Sequence, residues 1–103
     1  MNTDDSMGKL QLEICDWQDE TFTGATALSK MSHLALEVIE LNKALLTPAL
    51  IGVQDELADC QHLLFGIASK YGINLYEATR EKFEINKKRK WGKPQANGVV
   101  EHL

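Results

Sequence analysis

The chain has few of the features that mark secreted, membrane-bound or disulfide-stabilised proteins. Only two of its 103 residues are cysteines, Cys15 and Cys60. Their spacing fits no metal motif, so we expect both to be packing thiols. No apolar run approaches the ~18 residues of a membrane span. The acidic start MNTDDSMGK lacks the apolar core of a secretory signal. We therefore predict a cytoplasmic protein with no membrane association.

An excess of positive charge is also absent. The net charge is −4, which does not favour nonspecific binding to nucleic acid, and we expect no nucleic-acid partner. Basic residues nevertheless cluster late in the chain, at Lys87, Lys88, Arg89, Lys90 and Lys93. Such a cluster is typical of a solvated helix end, and it also suits a small polyanion such as a triphosphate.

Only two prolines, Pro48 and Pro94, interrupt an apolar spacing that is helical almost throughout. We predict helices over residues 9–22, 26–46, 47–71 and 74–91. Thr26 is the expected N-cap of the second, Thr47-Pro48 leads into the third, and Asn74 opens the fourth with a capping box. The pattern predicts one all-α domain over residues 1–103, with flexible or partner-contacting tails at 1–8 and 92–103.

The second predicted helix has apolar residues on nearly every side. Leu34, Val38, Leu41 and Leu45 form one stripe, while other apolar residues lie elsewhere on the same helix. A helix of this kind is normally buried on most sides. A four-helix chain of this length can scarcely enclose it alone, so we expect a homo-oligomer, either a dimer or a tetramer.

Four acids recur in two pairs with the same spacing. Glu37 and Glu40 lie in HLALEVIEL, and Glu56 and Asp59 lie in ELAD. Residues three apart share one side of a helix. An antiparallel hairpin that turns near Pro48 would bring both pairs to the same level along the helices.

Four carboxylates held together would repel one another and raise their pKa values. A divalent cation would relieve this repulsion, and hard oxygen ligands suit Mg²⁺, with Mn²⁺ as a substitute, better than zinc. The predicted metal ligands are therefore Glu37, Glu40, Glu56 and Asp59. An alternative is that the acids form buried salt bridges with Lys30, Lys43 or Arg80.

The fourth predicted helix carries a polar stripe, Lys82, Asn86 and Arg89, spaced i, i+4, i+7. These side chains are suited to phosphate oxygens, although the stripe alone is also compatible with a solvent-facing surface.

The residues that would contact the base are harder to assign. Trp17, Phe22, His33 and Trp91 are candidates, but packing also needs the few aromatics present. His33 is on the acid face, His62 is expected to face solvent, and His102 belongs to the tail.

In these motifs the sequence resembles the MazG-like all-α nucleoside triphosphate pyrophosphohydrolases, whose signature is E-E-x-x-E followed by E-x-x-D. Glu37-Val38-Ile39-Glu40 and Glu56-Leu57-Ala58-Asp59 match the E-x-x-E and E-x-x-D portions, while Leu36 replaces the first glutamate of the doubled pair. The sequence is similar, more narrowly, to the small phage and bacterial branch labelled dATP/dGTP diphosphohydrolase. This likeness extends to five further segments: Trp17 with Glu20-Thr21-Phe22, residues 29–34, residues 68–73, residues 81–92 and residues 98–102.

The resemblance implies a four-helix bundle completed by oligomerisation, and Mg²⁺-dependent hydrolysis of a nucleoside triphosphate to the monophosphate and pyrophosphate. The substrate it implies is a purine deoxynucleotide, dATP or dGTP. It assigns catalytic roles to Glu37, Glu40 and Lys82, with Glu40 the preferred group for orienting or deprotonating water. Substrate contacts would come from Lys82, Asn86, Arg89, His33 and Trp91. Two alternatives are a noncatalytic helical module for oligomerisation or nucleotide sensing and, more weakly, a nucleic-acid-binding helix hairpin.

Overall fold

A computed structural model describes residues 5–47 and 50–103 of the chain. It contains four helices: α1 (Ser6–Thr21), α2 (Ala27–Leu46), α3 (Leu50–Lys70) and α4 (Leu75–Lys88). The described residues form no strand beyond one isolated bridge between Trp91 and His102. The all-α prediction is therefore confirmed. The predicted turn proline, Pro48, lies outside the described residues.

The predicted starts of α2 and α4 are confirmed by their capping bonds. The Ser29 amide donates to Thr26 Oγ1 at 3.1 Å, and the Thr26 amide donates to Ser29 Oγ at 2.8 Å. This reciprocal pair satisfies amide groups that have no partner within the helix. At α4, the Glu77 amide donates to Asn74 Oδ1 at 3.1 Å. The capping bonds of Thr26 and Asn74 therefore mark where α2 and α4 begin.

Helix α3 is the centre of the domain, because α1 and α2 both pack against it. Its buried apolar side chains are Leu63, Phe65 and Ala68, and with Leu34 of α2 and Cys15 of α1 they form the small core. Phe65 is the most buried of the large side chains. Both cysteines are free thiols, Cys15 buried and Cys60 half-buried, as expected for packing residues.

A buried glutamine fastens α1 to the connection between α3 and α4. Gln11 donates from Nε2 to Ser69 Oγ at 3.0 Å and to the Ile73 carbonyl at 2.7 Å, and its Oε1 accepts from the Leu75 amide at 2.9 Å. Each polar atom of this buried amide has a partner, as burial requires. The bonds fix where α4 leaves the bundle.

Two predicted helix boundaries were wrong. Helix α1 begins at Ser6, three residues before the predicted start. Helix α4 ends at Lys88 rather than near Trp91, because the chain turns away to pair with its own end. The Gly92 amide donates to the Glu101 carbonyl at 2.8 Å, and the Leu103 amide donates to the Lys90 carbonyl at 2.7 Å. These bonds replace those that a longer helix would have made.

The single chain leaves a large apolar surface uncovered. On α2, seven large apolar residues are at least half exposed: Leu28, Met31, Leu36, Val38, Ile39, Leu45 and Leu46. The radius of gyration is 16.0 Å, against about 13 Å expected for a compact domain of this length. Helix α2 is thus covered by α3 on one side and open on the others. No helix in the described part of the chain is both long enough and apolar enough to cross a bilayer.

Candidate metal centre between helices α2 and α3

Three carboxylates meet where α2 and α3 run side by side. Glu37, Glu56 and Asp59, here called the acid cluster, each place one oxygen within 4.8 Å of the others. Glu37 comes from α2 and the other two from successive turns of α3. The antiparallel hairpin inferred from the sequence does bring acids of both helices to one level.

Glu56 carries a buried carboxylate oxygen in the cluster. Its Oε2 is buried and accepts no hydrogen bond within the described part of the chain. Burial raises the pKa of Glu56 above its ordinary value of 4.5, and the neighbouring Glu37 carboxylate raises it further, with smaller contributions from Asp59 and Glu40. A buried anionic oxygen without a partner is unfavourable, so the site favours a proton or a cation at this position.

Glu37 has one partner outside the cluster. Its Oε1 lies 3.4 Å from Nε2 of His33, one helical turn earlier on α2. The sequence placed His33 on the acid face, and the structure brings it to the edge of the cluster, where its side chain is half exposed. His33 is therefore positioned to orient the Glu37 carboxylate, as an imidazole often does beside a metal ligand.

Glu40 lies outside the group of three. Its Oε1 is 3.3 Å from Nζ of Lys43, in a solvent-exposed ion pair one turn along α2. It is still near enough for its charge to raise the pKa of Glu56. Of the buried salt bridges considered as an alternative, none involving Lys30 or Arg80 forms in residues 5–47 and 50–103. Lys43 pairs with Glu40, but at the surface.

The polar stripe of α4 is not joined to the acid cluster by contacts of this chain. Within the described ranges, α4 packs against α1 and α3 and not against α2. Asn86 and Arg89 are half-buried and Lys82 is exposed. Arg89 is the C-cap of α4, and its Nη1 donates to Asn86 Oδ1 at 3.5 Å. Lys82 and Asn86 therefore lie on the second half of α4, and Arg89 lies at its end beside Asn86.

The aromatic candidates pair among themselves. Trp17 and Phe22 form an edge-to-face pair with ring centroids 5.4 Å apart. Trp91 stacks edge-on with His102 at 5.9 Å and donates from Nε1 to the Asn86 carbonyl at 2.9 Å. His102, assigned to the tail, therefore has a defined packing partner. His62 is exposed, as expected.

The sequence interpretation missed a buried polar link about two helical turns from the acid cluster. Lys30 donates from Nζ to Gln18 Oε1 at 3.0 Å, and Gln18 donates from Nε2 to the His62 carbonyl at 3.0 Å. Lys30 and Gln18 are buried, and the absent side chain of Gly66 leaves room for them. Gly66 was the available signal, because a glycine inside an apolar helix often marks a close approach.

The chemistry of the acid cluster fits a hard divalent cation. All three donors are carboxylate oxygens, the set that Mg²⁺ and Mn²⁺ prefer. A cation would give the unpartnered Glu56 oxygen a ligand bond and would cancel the mutual repulsion that raises its pKa. Glu37, Glu56 and Asp59 are the residues placed to hold such an ion.

Comparisons with known proteins agree with this chemistry. A family model described as dATP/dGTP pyrophosphohydrolase matches residues 10–103. A dATP/dGTP diphosphohydrolase of Salmonella phage PMBT28 is 31% identical over 98 residues, which are 95% of this chain and 32% of that protein. The chain therefore spans about a third of the length of this curated relative.

A solved structure is also similar to this chain. The MazG-like pyrophosphohydrolase of cyanophage S-2L, bound to dGDP and three catalytic Mn²⁺ ions per active site, is similar with a TM-score of 0.75. It is 27% identical, and the match covers 94% of this chain and 96% of that one. The four-helix arrangement seen here is therefore a MazG-like fold.

Proposed function

Because the chain belongs to the dATP/dGTP pyrophosphohydrolase family, we propose that it hydrolyses a purine deoxynucleoside triphosphate, dATP or dGTP, to the monophosphate and pyrophosphate. Mg²⁺ is the proposed cofactor, with Mn²⁺ as a substitute. One observation carries the proposal: the acid cluster brings three carboxylates together and leaves a buried Glu56 oxygen without a hydrogen-bond partner among the described residues. The predicted cytoplasmic location is part of the same proposal.

Glu37, Glu56 and Asp59 would hold the metal, and Glu40 is the candidate fourth acid. A bound divalent ion supplies charge neutralisation of the phosphates and a water of lowered pKa. The Glu40 side chain is 52% exposed, so water can reach its carboxylate, which would accept a proton from that water. The Glu37 side chain is 21% exposed and lies within the acid cluster, so Glu37 is better suited to ligation.

The α4 residues would contact the triphosphate from a second copy of the chain. Lys82, Asn86 and Arg89 carry donors and positive charge that suit phosphate oxygens, yet α4 of the same chain does not pack on α2. The uncovered apolar face of α2, which includes Leu36 and Ile39, supplies a surface for that copy. His33 and Trp91 remain the candidates for contacts to the nucleoside.

A panel of nucleoside triphosphates incubated with Mg²⁺ or Mn²⁺ tests the activity, with pyrophosphate and orthophosphate measured separately. We expect pyrophosphate from dATP or dGTP, and a loss of at least about 100-fold in kcat/KM for Glu56→Gln, which removes a charged ligand but keeps its shape. Glu13→Gln, on the exposed face of α1, is the matched control. Nucleotide binding without hydrolysis across the whole panel would instead support the noncatalytic sensing module.

Mixing two inactive variants tests whether the site spans two copies. Glu56→Gln lacks a metal ligand and Arg89→Ala lacks a phosphate contact, so a site built from different chains regains one intact set when they are mixed. About a quarter of wild-type activity is expected from random dimers. If the mixture stays inactive although pull-down of a tagged Glu56→Gln subunit recovers the Arg89→Ala subunit, both groups of residues act within one chain.

A further inference from the structure

Lys30 is a buried cation that has no counterion among the described residues. Its residue is 4% exposed, and Nζ donates to the neutral amide oxygen of Gln18 at 3.0 Å. Within the described part of the chain, no carboxylate lies within the 4.0 Å of an ion pair with Lys30. A buried ammonium with a single amide partner is costly for folding alone.

The same position could be filled more cheaply if packing were its only role. Methionine has a similar length and would cover the same core surface without the charge. Gln18 would still have its second bond, from Nε2 to the His62 carbonyl at 3.0 Å. The positive charge itself therefore calls for an explanation.

The position of Lys30 relative to the acid cluster supplies one. Lys30 and Glu37 are seven residues apart on α2, so they share a face and lie about 10 Å apart along the helix axis. On α3, Nζ lies 3.2 Å from where a Cβ of Gly66 would be, and Gly66 is again seven residues from Asp59. Buried Leu34 and Leu63 lie between the two levels, while the acid cluster is open to solvent at Asp59, so water screens the charge but does not abolish its effect.

We infer that Lys30 is a specificity-determining residue that disfavours bare divalent cations at the acid cluster and favours the nucleoside triphosphate. The inference rests on the proposed function. A fixed positive charge repels a free Mn²⁺ ion and attracts the polyanion that arrives with it, so it shifts occupancy of the site towards metal together with substrate. A purely structural role would not affect the two ligands in opposite directions.

The test compares two binding constants in Lys30→Met and wild type. The first is the affinity for Mn²⁺ alone, and the second is the affinity of Mn²⁺-saturated protein for a nonhydrolysable dATP analogue, both by calorimetry. We expect Mn²⁺ to bind about fivefold more tightly and the nucleotide about fivefold more weakly, as Coulomb's law gives for ~10 Å in a largely aqueous dielectric. Lys70→Met, an exposed lysine paired with Asp19, should change each constant by less than about twofold.

The double variant Gln18→Leu/Lys30→Met provides a second route if the single variant does not fold. It removes the Lys30 ammonium and the Gln18 amide together, so neither is left buried without its partner. The His62 carbonyl loses its bond from Gln18 but still accepts the backbone bond of its own helix. Weakening of both ligands, or no change in either, would overturn the role of Lys30 and leave the proposed function standing. A wild-type protein that binds no Mn²⁺ at all would overturn the metal centre, and the role of Lys30 with it.

Discussion

Replacing Gly66 by alanine should destabilise the bundle, even though alanine is the better helix former. Gly66 lies inside α3, opposite the buried pair Gln18 and Lys30. A Cβ at Gly66 would overlap the Gln18 side-chain oxygen and lie 3.1 Å from Lys30 Cδ. Gln18 is almost fully buried and is bonded on both sides, so its amide can move away only by giving up a bond.

The opposing terms can be estimated separately. Alanine in place of glycine within a helix contributes about 0.5–1 kcal/mol. The hydrogen bond from the Lys30 ammonium to Gln18, once broken, costs about 1.5–3 kcal/mol, because the bond is charge-assisted and both groups are buried. The net expectation for Gly66→Ala is a loss of about 1–2 kcal/mol in the free energy of unfolding.

Urea denaturation at 25 °C, at one protein concentration and in a chelating buffer, measures this difference. Gly52→Ala is the matched control, since Gly52 lies in the same helix and no described atom lies within 4 Å of a Cβ built there. It should stabilise the protein by about 0.5–1 kcal/mol. The two variants should therefore shift the urea midpoint in opposite directions. A Gly66→Ala protein as stable as wild type would refute the close packing of Gln18 and Lys30 against α3.

Three further predictions concern the acid cluster and the core. In metal-free protein, the stability contributed by protonated Glu56 is fully present below its ordinary pKa of 4.5 and is lost as pH rises through its raised pKa. Urea titrations at several pH values should show this loss of stability in wild type but not in Glu56→Gln. A loss in both proteins would mean that another group causes it. Saturating Mn²⁺ at pH 8 should raise the Tm of wild type but not of Glu56→Gln, since only a bound ligand stabilises the native state; equal shifts would place the ion elsewhere. Phe65→Ala, at a 2% exposed site, should cost about 3–5 kcal/mol by urea denaturation, and a loss below 1 kcal/mol would contradict a tightly packed centre.

The hairpin of α2 and α3 was predictable because short connections and helical periodicity constrain each other. Residues 37 and 59 are equally distant from residue 48, so any tight antiparallel turn there brings them to one level. Glu37, Glu56 and Asp59 are in fact found together. The position of Glu40 was beyond this argument, because residues three apart differ by about 60° around the axis. That rotation carries Glu40 towards solvent, where it meets Lys43.

Boundaries that depend on distant pairing could not be read from local signals. The basic residues after Asn86 are good helix formers, and no glycine or proline lies between Asn86 and Gly92. The helix nevertheless stops at Lys88, since Trp91 donates to the Asn86 carbonyl and the following residues pair with 101–103. Local sequence patterns cannot predict this helix end, because the residues that pair with 90–92 lie about ten positions further along the chain.

The position of α4 relative to the acid cluster also could not be predicted from local sequence patterns, because it depends on contacts between distant residues. Periodicity correctly groups Lys82 with Asn86, but it cannot say which acids they face. Bonds from the buried Gln11 amide to Ser69, Ile73 and Leu75 fix where α4 leaves α3, and α4 then packs on α1 and α3 only, among the described residues. Under the proposed function, a second copy would bring the α4 donors to the acids, because α4 does not touch α2 in the described part of one chain. The apolar face that α2 leaves open is where that copy would bind, so assembly and catalysis should depend on the same surface.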